Sequence, residues 1–95
     1  MPDLVLHLKE KYFEEIKAGT KTEEYRWLKD FWTKRLKGKT YDRVVIVRAW
    51  KPMSDPNNVL YFPWNGYEKK IVDHPEFDGF PVTVYVIPLR GEVHA

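Results

Sequence analysis

Residues 4–27 read LVLHLKEKYFEEIKAGTKTEEYRW, and the spacing of their apolar side chains changes twice. In the first five residues leucine alternates with other residue types, which predicts a strand with one buried face. The next segment places apolar residues at helical spacing and ends near Gly19, a residue suited to the left-handed position after a helix. Residues 22–27, TEEYRW, alternate again. This stretch therefore predicts strand, helix and strand, with a sharp turn at Gly19.

The remaining sequence predicts one more helix and four more strands. DFWTKRLKGK (30–39) has Asp30 as a candidate N-cap and Gly38 beyond its end, which is typical of a short helix. Strands are predicted at YDRVVIVRAW (41–50), VLYFPW (59–64), YEKKIVDH (67–74) and PVTVYVIPL (81–89), although residues 68–72 also suit a helical turn. The β-branched run in 41–50 indicates burial on both faces. Together these elements favour a single α+β domain, residues 1–95, in which about six strands curl into a small, partly closed β-barrel flanked by two short helices.

Composition narrows the class of protein. A chain of 95 residues suffices for one domain with a modest core, and the absence of cysteine excludes disulfides and thiolate chemistry. The amino terminus lacks the pattern of a signal peptide and no stretch approaches transmembrane length, so a cytoplasmic protein without a membrane partner is expected. The net charge of +2 is uneven, because residues 9–43 carry eleven Lys and Arg against seven Asp and Glu. This excess favours a phosphate-bearing partner, and a solvated basic helix face would produce the same count.

The sequence resembles the ASCH family, a branch of the PUA-like superfamily, over nearly its whole length. The resemblance is carried by LHLKEKYFEEIKAGTKTEEYR, a basic second helix and a Val-rich last strand, with the pattern Gly-x-Lys-x-x-Glu-x-Arg at Gly19, Lys21, Glu24 and Arg26. It implies a PUA-like barrel with a cleft beside this motif that binds RNA or a nucleotide. Some members hydrolyse acetylated cytidine at its exocyclic amide, and others have been assigned ribonuclease activity.

Two departures from the amidohydrolase branch concern the acid and the nucleophile. Lys21 matches the lysine of that branch, but Glu24 stands where the branch has a nucleophilic threonine. A catalytic glutamate is expected within residues 59–65, and VLYFPWN contains no acid. If the chain is nevertheless an enzyme, Lys21 and Glu24 are its candidate catalytic residues.

The candidate ligand site consists of four polar residues and several aromatic residues. Lys21 and Arg26 suit a phosphate or a carbonyl, Glu24 can accept from an exocyclic amine, and Thr22 offers a hydroxyl on the same strand face. Bases stack on aromatic rings in single-stranded sites, for which the candidates are Tyr25, Trp50, Trp64 and Tyr67. Trp27 and Trp32 are assigned to the core. From spacing alone, an ordinary ion pair between Glu24 and Arg26 on a strand is the favoured interpretation, and it is the resemblance that favours a ligand site.

The sequence is compatible with three hypotheses for function. The first is a module that binds RNA or a modified nucleoside in the Lys21/Glu24/Arg26 cleft. The second is an amidohydrolase on N4-acylated cytidine, with a ribonuclease as a weaker variant, and the third is a protein-interaction domain that uses exposed aromatic residues. The three histidines do not have metal-ligand spacing, so neither a metal nor another cofactor is expected.

Overall fold

A computed structural model of the chain describes residues 2–73 and 79–92. Their elements follow the predicted order, with a 3₁₀ turn at Pro56–Asn58 before the fourth strand. They are β1 (Leu4–Leu8), α1 (Glu10–Lys17), β2 (Glu23–Trp27), α2 (Asp30–Leu36), β3 (Arg43–Arg48), β4 (Val59–Pro63), β5 (Glu68–Asp73) and β6 (Pro81–Pro88). The segment that also suited a helical turn is strand β5. Position 74, the last residue of the strand predicted at 67–74, lies outside the described residues, as do residues 75–78.

The described strands form two three-stranded sheets with the orders β1-β3-β4 and β2-β6-β5. In the first sheet β1 runs parallel to β3, with Leu6 opposite Ile46, and β4 is antiparallel to β3. The parallel pair is possible because the segment containing α1, β2 and α2 crosses over between them. In the second sheet β6 is the central strand and pairs antiparallel with both β2 and β5. The coarse prediction of an α+β fold with six strands and two helices is confirmed for this part of the chain.

The partly closed barrel is not confirmed, because no strand ladder among residues 2–73 and 79–92 joins the two sheets. Strand count alone suggested closure, but closure also requires backbone pairing between the edge strands. At the β1 edge a side chain makes the connection instead: Nη2 of Arg26 on β2 donates to the carbonyl of His7 at 3.1 Å.

The main core lies between the sheets and the helices. Leu4, Leu6 and Leu8 are buried, as their alternation predicts, and they pack with Phe13 of α1 and with side chains of β3, β4 and β6. On the other face of β3, Val45, Val47 and Val59 form a second, smaller cluster. The prediction that β3 is buried on both faces is therefore confirmed.

Two details of the helices refine the sequence analysis. Gly19 follows α1 with φ +81°, and its N–H donates to the carbonyl of Ile16, as predicted for a residue that ends a helix. Asp30 is not the N-cap of α2: the cap is Lys29, and Asp30 is the first helical residue. An acid in the first turn is still favourable there because of the helix dipole.

Arg48 joins α1 to the first sheet. Its Nη1 donates to Oε1 of Glu10 at 3.1 Å and to the carboxylate of Glu14, and its Nη2 donates to the carbonyl of Asn57 at 3.2 Å. The guanidinium also lies 4.3 Å from the centroid of the Phe13 ring. These contacts hold α1 against the end of β3, which places Tyr12 beside β2.

No helix in the described part of the chain is long and apolar enough to cross a membrane.

Candidate functional site

A cleft of about 340 Å³ lies where β1, the start of α1, β2 and the start of α2 meet. Its walls are aromatic and basic. The ring-bearing side chains are His7, Tyr12, Tyr25, Trp27 and Trp32, and the cations are Lys9, Lys21, Arg26 and Lys29. Glu24 is the one acid among the described residues that line it. Four positive charges against one negative charge favour an anionic ligand.

Glu24 lies between two cations at the base of the cleft. Its Oε2 is 2.8 Å from Nη2 of Arg26, and its Oε1 is 3.8 Å from Nζ of Lys21. The residue is only 8% exposed. Burial raises the pKa of the Glu24 carboxyl above its ordinary value, and the charges of Arg26 and Lys21 partly oppose that rise. The pair that the sequence offered as an alternative thus exists, but it is buried within a cleft and not exposed on a strand surface.

Arg26 is held by contacts from three elements. Besides Glu24 on its own strand, Nη2 contacts the His7 carbonyl of β1, and the guanidinium carbon lies 4.9 Å from the ring centroid of Trp32 on α2. Its Nε–H is buried and has no hydrogen-bond acceptor among the described residues. An unpaired buried donor is destabilising by about 1–3 kcal/mol. Packing therefore fixes the Arg26 guanidinium in a position where one of its N–H groups has no acceptor among the described residues.

Two more of the cations, Lys21 and Lys29, also lie against aromatic rings. Nζ of Lys21 is 4.7 Å from the ring centroid of Tyr25 and 5.4 Å from that of Tyr12. Nζ of Lys29 is 4.6 Å from the ring centroid of Trp27. A cation over a ring face is attracted by the ring quadrupole, so each contact helps to fix the direction of a long, flexible side chain. The cleft thus presents positive charge and flat apolar surface side by side.

Tyr25 is positioned by its neighbour on β2. Its hydroxyl donates to Oε1 of Glu23 at 3.1 Å, and Lys70 donates to the other oxygen of Glu23 at 3.2 Å. Partial burial and this hydrogen bond raise the pKa of Tyr25. Partial burial would raise the pKa of Glu23, but the hydrogen bonds from Lys70 and Tyr25, with the charges of Lys70 and Arg90, lower it overall. Glu23 and Glu24 thus face different surroundings, as strand alternation predicts.

Not all the candidate residues converge on the cleft. Lys21, Glu24, Arg26 and Tyr25 line it. Thr22 is exposed and lines an adjoining groove. Its carbonyl accepts from the Leu89 N–H, and the residue does not line the cleft.

The predicted aromatic residues separate into two groups. Trp50 lies beside the cleft, where it stacks on His7 with ring centroids 4.0 Å apart. Trp64 and Tyr67 lie elsewhere, because each packs against the core and meets a neighbouring ring edge-on: Tyr41 for Trp64 and Tyr85 for Tyr67. Neither lines the cleft, so their assignment to the ligand site is not supported by the placement of the side chains.

The aromatic walls come instead from residues that the sequence analysis assigned elsewhere. Trp27 is 45% exposed, not a core residue, because β2 is an edge strand and its last residue lies at the rim. Trp32 packs partly against the core and presents its remaining surface to the cleft. Tyr12 also lines it. The usable signal was the position of Trp27 and Lys29 directly after the motif, whereas nothing in the local spacing singled out Tyr12.

The region expected to supply a second acid lies away from the cleft. Residues 59–63 form β4, and none of residues 59–65 lines the cleft. The described residues contain no group of three or more His, Cys, Asp or Glu side chains suited to a metal ion.

No family model, curated protein or solved structure matches the chain.

Proposed function

We propose that the cleft binds RNA or a modified nucleoside, and that the chain is an ASCH-like, PUA-like domain whose strands curve around this cleft. The observation that carries the proposal is the ring of cation–aromatic pairs around the buried Glu24. Phosphate oxygens are bound by Lys and Arg, and unpaired bases stack on aromatic faces. A cleft that offers both within about 340 Å³ suits a nucleotide better than a purely anionic or purely apolar ligand.

Each part of a nucleotide has a matching group. Lys21 and Lys29 are free to follow a phosphate because their contacts with aromatic rings leave other N–H groups of each ammonium available. Trp27 and Trp32 offer surfaces for a base. Each oxygen of the Glu24 carboxylate can accept more than one hydrogen bond, so it retains capacity for an exocyclic amine of cytosine or adenine despite its contact with Arg26.

The proposal is tested by the binding of single-stranded RNA as a function of salt. Affinity should fall steeply between low and high salt, because phosphate binding releases counterions. The double variant Lys21→Ala/Arg26→Ala should lose most of the affinity. Lys39→Ala/Arg43→Ala is a matched control, since it removes the same two charges at positions that do not line the cleft. If affinity is independent of salt, or if the two double variants bind alike, the proposal is wrong.

The buried carboxylate supports a second candidate function, hydrolysis of N4-acylated cytidine. Burial raises the pKa of Glu24, which makes it a stronger base for activating water, and Lys21 is placed near enough to polarise a bound carbonyl. Water would add to the acyl carbonyl and the bond to the exocyclic nitrogen would break, giving cytidine and acetate. Incubation with N4-acetylcytidine checks this: cytidine should form with the wild-type chain and not with Glu24→Gln. Equal turnover by the two proteins would refute it.

A further inference from the structure

A continuous line of contacts extends from the cleft in two directions. On one side the Arg26 guanidinium donates to the backbone of His7, whose ring stacks on Trp50 at 4.0 Å with an interplanar angle of 20°. On the other side Arg26 lies 4.9 Å from the Trp32 ring, and Trp32 meets Phe31 edge-on at 5.1 Å. We call this series the aromatic track.

The two ends of the aromatic track are far more exposed than its middle. Trp50 is 83% exposed and Phe31 is 61% exposed, whereas Trp32 is partly buried. Large apolar side chains at such exposure contribute little to the core. Each of the two rings contacts a side chain that lines the cleft, so the rings extend the surface of the cleft on both sides.

Each exposed end is held in place. The Trp50 ring is supported by His7, whose Nδ1–H donates to the carbonyl of Ala49 at 2.9 Å. Phe31 is supported by Trp32 and by the guanidinium of Arg35, which lies 5.6 Å from the Phe31 ring and 5.0 Å from the Trp32 ring. Fixed rings lose little conformational entropy when a base stacks on them.

We propose that the aromatic track binds a single-stranded RNA segment several nucleotides long, with one nucleotide in the cleft and its neighbours stacked on Trp50 and Phe31. The inference rests on the proposed function of the cleft. Charge complementarity favours a polyanionic strand, because Arg26 and Arg35 lie along the same line as the rings. In OB-fold domains, which also combine basic grooves with aromatic stacking surfaces, a bound single strand covers about 4–16 nucleotides.

The experiment compares cytidine monophosphate with fluorescently labelled oligocytidylates of increasing length, because cytosine carries the exocyclic amine that Glu24 can accept from. Affinity should rise with length and then level off. Trp50→Ala and Phe31→Ala should each weaken binding of the long oligocytidylate roughly tenfold, the loss of one stacked base, while leaving binding of the mononucleotide unchanged. Phe80→Ala is the matched control for Phe31→Ala, since Phe80 is 71% exposed and does not line the cleft. Circular dichroism confirms that each variant is folded.

The outcomes separate this inference from the proposed function. If the mononucleotide binds as tightly as the oligocytidylates and loses affinity only in Arg26→Ala, the aromatic track is refuted and the cleft proposal stands. If Phe31→Ala and Trp50→Ala behave like Phe80→Ala towards long RNA, the track is also refuted. If no probe binds to the wild-type chain, both proposals fail.

Discussion

The Glu24–Arg26 ion pair should couple the two side chains more strongly than an exposed ion pair does. Three variants test this expectation: Glu24→Ala, Arg26→Ala and the double variant that combines them. The pair is 10% and 21% exposed at its two side chains, and one oxygen lies 2.8 Å from one nitrogen. The Asp3–Arg43 pair offers a comparison, with a similar distance of 3.0 Å but exposures of 29% and 41%. The two pairs therefore differ mainly in their contact with water.

The expected magnitude follows from distance and burial. At an effective dielectric constant of about 20, charges 2.8 Å apart attract by about 6 kcal/mol, and the more distant Lys21 adds about 4 kcal/mol at 3.8 Å. The loss of hydration on burial outweighs this attraction, which is why the pKa of Glu24 is raised. Removing one partner of a buried pair leaves the other unpaired and is destabilising by about 3–5 kcal/mol. Because Arg26 keeps some exposure, we expect the lower end, about 3 kcal/mol, for Glu24→Ala.

That loss would be large for this domain. A chain of 95 residues has a free energy of unfolding of about 5–14 kcal/mol. A change of about 3 kcal/mol therefore corresponds to a fall in Tm of at least about 12 °C. Urea denaturation followed by circular dichroism gives the free energy of unfolding of each variant, and the double-mutant cycle isolates the coupling.

The coupling for Glu24–Arg26 should be about 2 kcal/mol, well above that measured in parallel for Asp3–Arg43. An equal or smaller coupling would refute the reasoning, because it would mean that water reaches Glu24 as freely as it reaches Asp3. The cleft described above would then not be a low-dielectric site, and the assignment of Glu24 as its central polar group would lose its physical basis.

Three further predictions concern stability. Because the pKa of Glu24 is raised above 4.5, its contribution to stability falls as pH rises from 4.5 through its folded-state pKa. Glu23 behaves in the opposite way: its pKa is lowered, so its contribution to stability is lost as pH falls through its folded-state pKa. Urea midpoints across pH should show each dependence vanish in the corresponding Gln variant. Ala49→Gly should stabilise the chain by up to about 1 kcal/mol, because Ala49 has φ +48° and the relief of its strain exceeds the added freedom of the unfolded chain; a lower urea midpoint would contradict this. Tyr85→Phe should lose about 0.5–1.5 kcal/mol, since the Tyr85 hydroxyl lies 2.5 Å from Oγ1 of Thr33, and Thr33→Val should add little to that loss in a double variant.

Much of the secondary structure follows from the sequence because it depends on neighbours along the chain. The alternation of Leu4, Leu6 and Leu8 predicts a strand with a buried face, and Gly19 predicts the end of α1 through its tolerance of positive φ. The β-branched run of β3 predicts burial on both faces. The polar group Lys21, Glu24 and Arg26 was also found from local pattern and family resemblance, and the structure brings its members together.

The walls of the cleft could not be predicted in the same way. Trp64 and Trp27 have similar intrinsic preferences, yet Trp64 packs at the core beside Tyr41 while Trp27 lies at the cleft rim. The difference arises because β2 is the edge strand of its sheet, a property of the β2-β6-β5 order and not of residues near Trp27 in sequence. Tyr12 reaches Lys21 only because Arg48, from a strand much later in the chain, holds α1 in place.

The sequence by itself therefore determined the order of the elements, the buried face of each well-patterned strand, the turn at Gly19 and the polar centre of the site. Tertiary structure alone decided that the described strands form two sheets without a ladder between them, and which aromatic rings surround Glu24. The physical reason is one of range. Backbone geometry and hydrophobic period act over a few residues, whereas the surroundings of a side chain are set by the packing of elements that are distant along the chain.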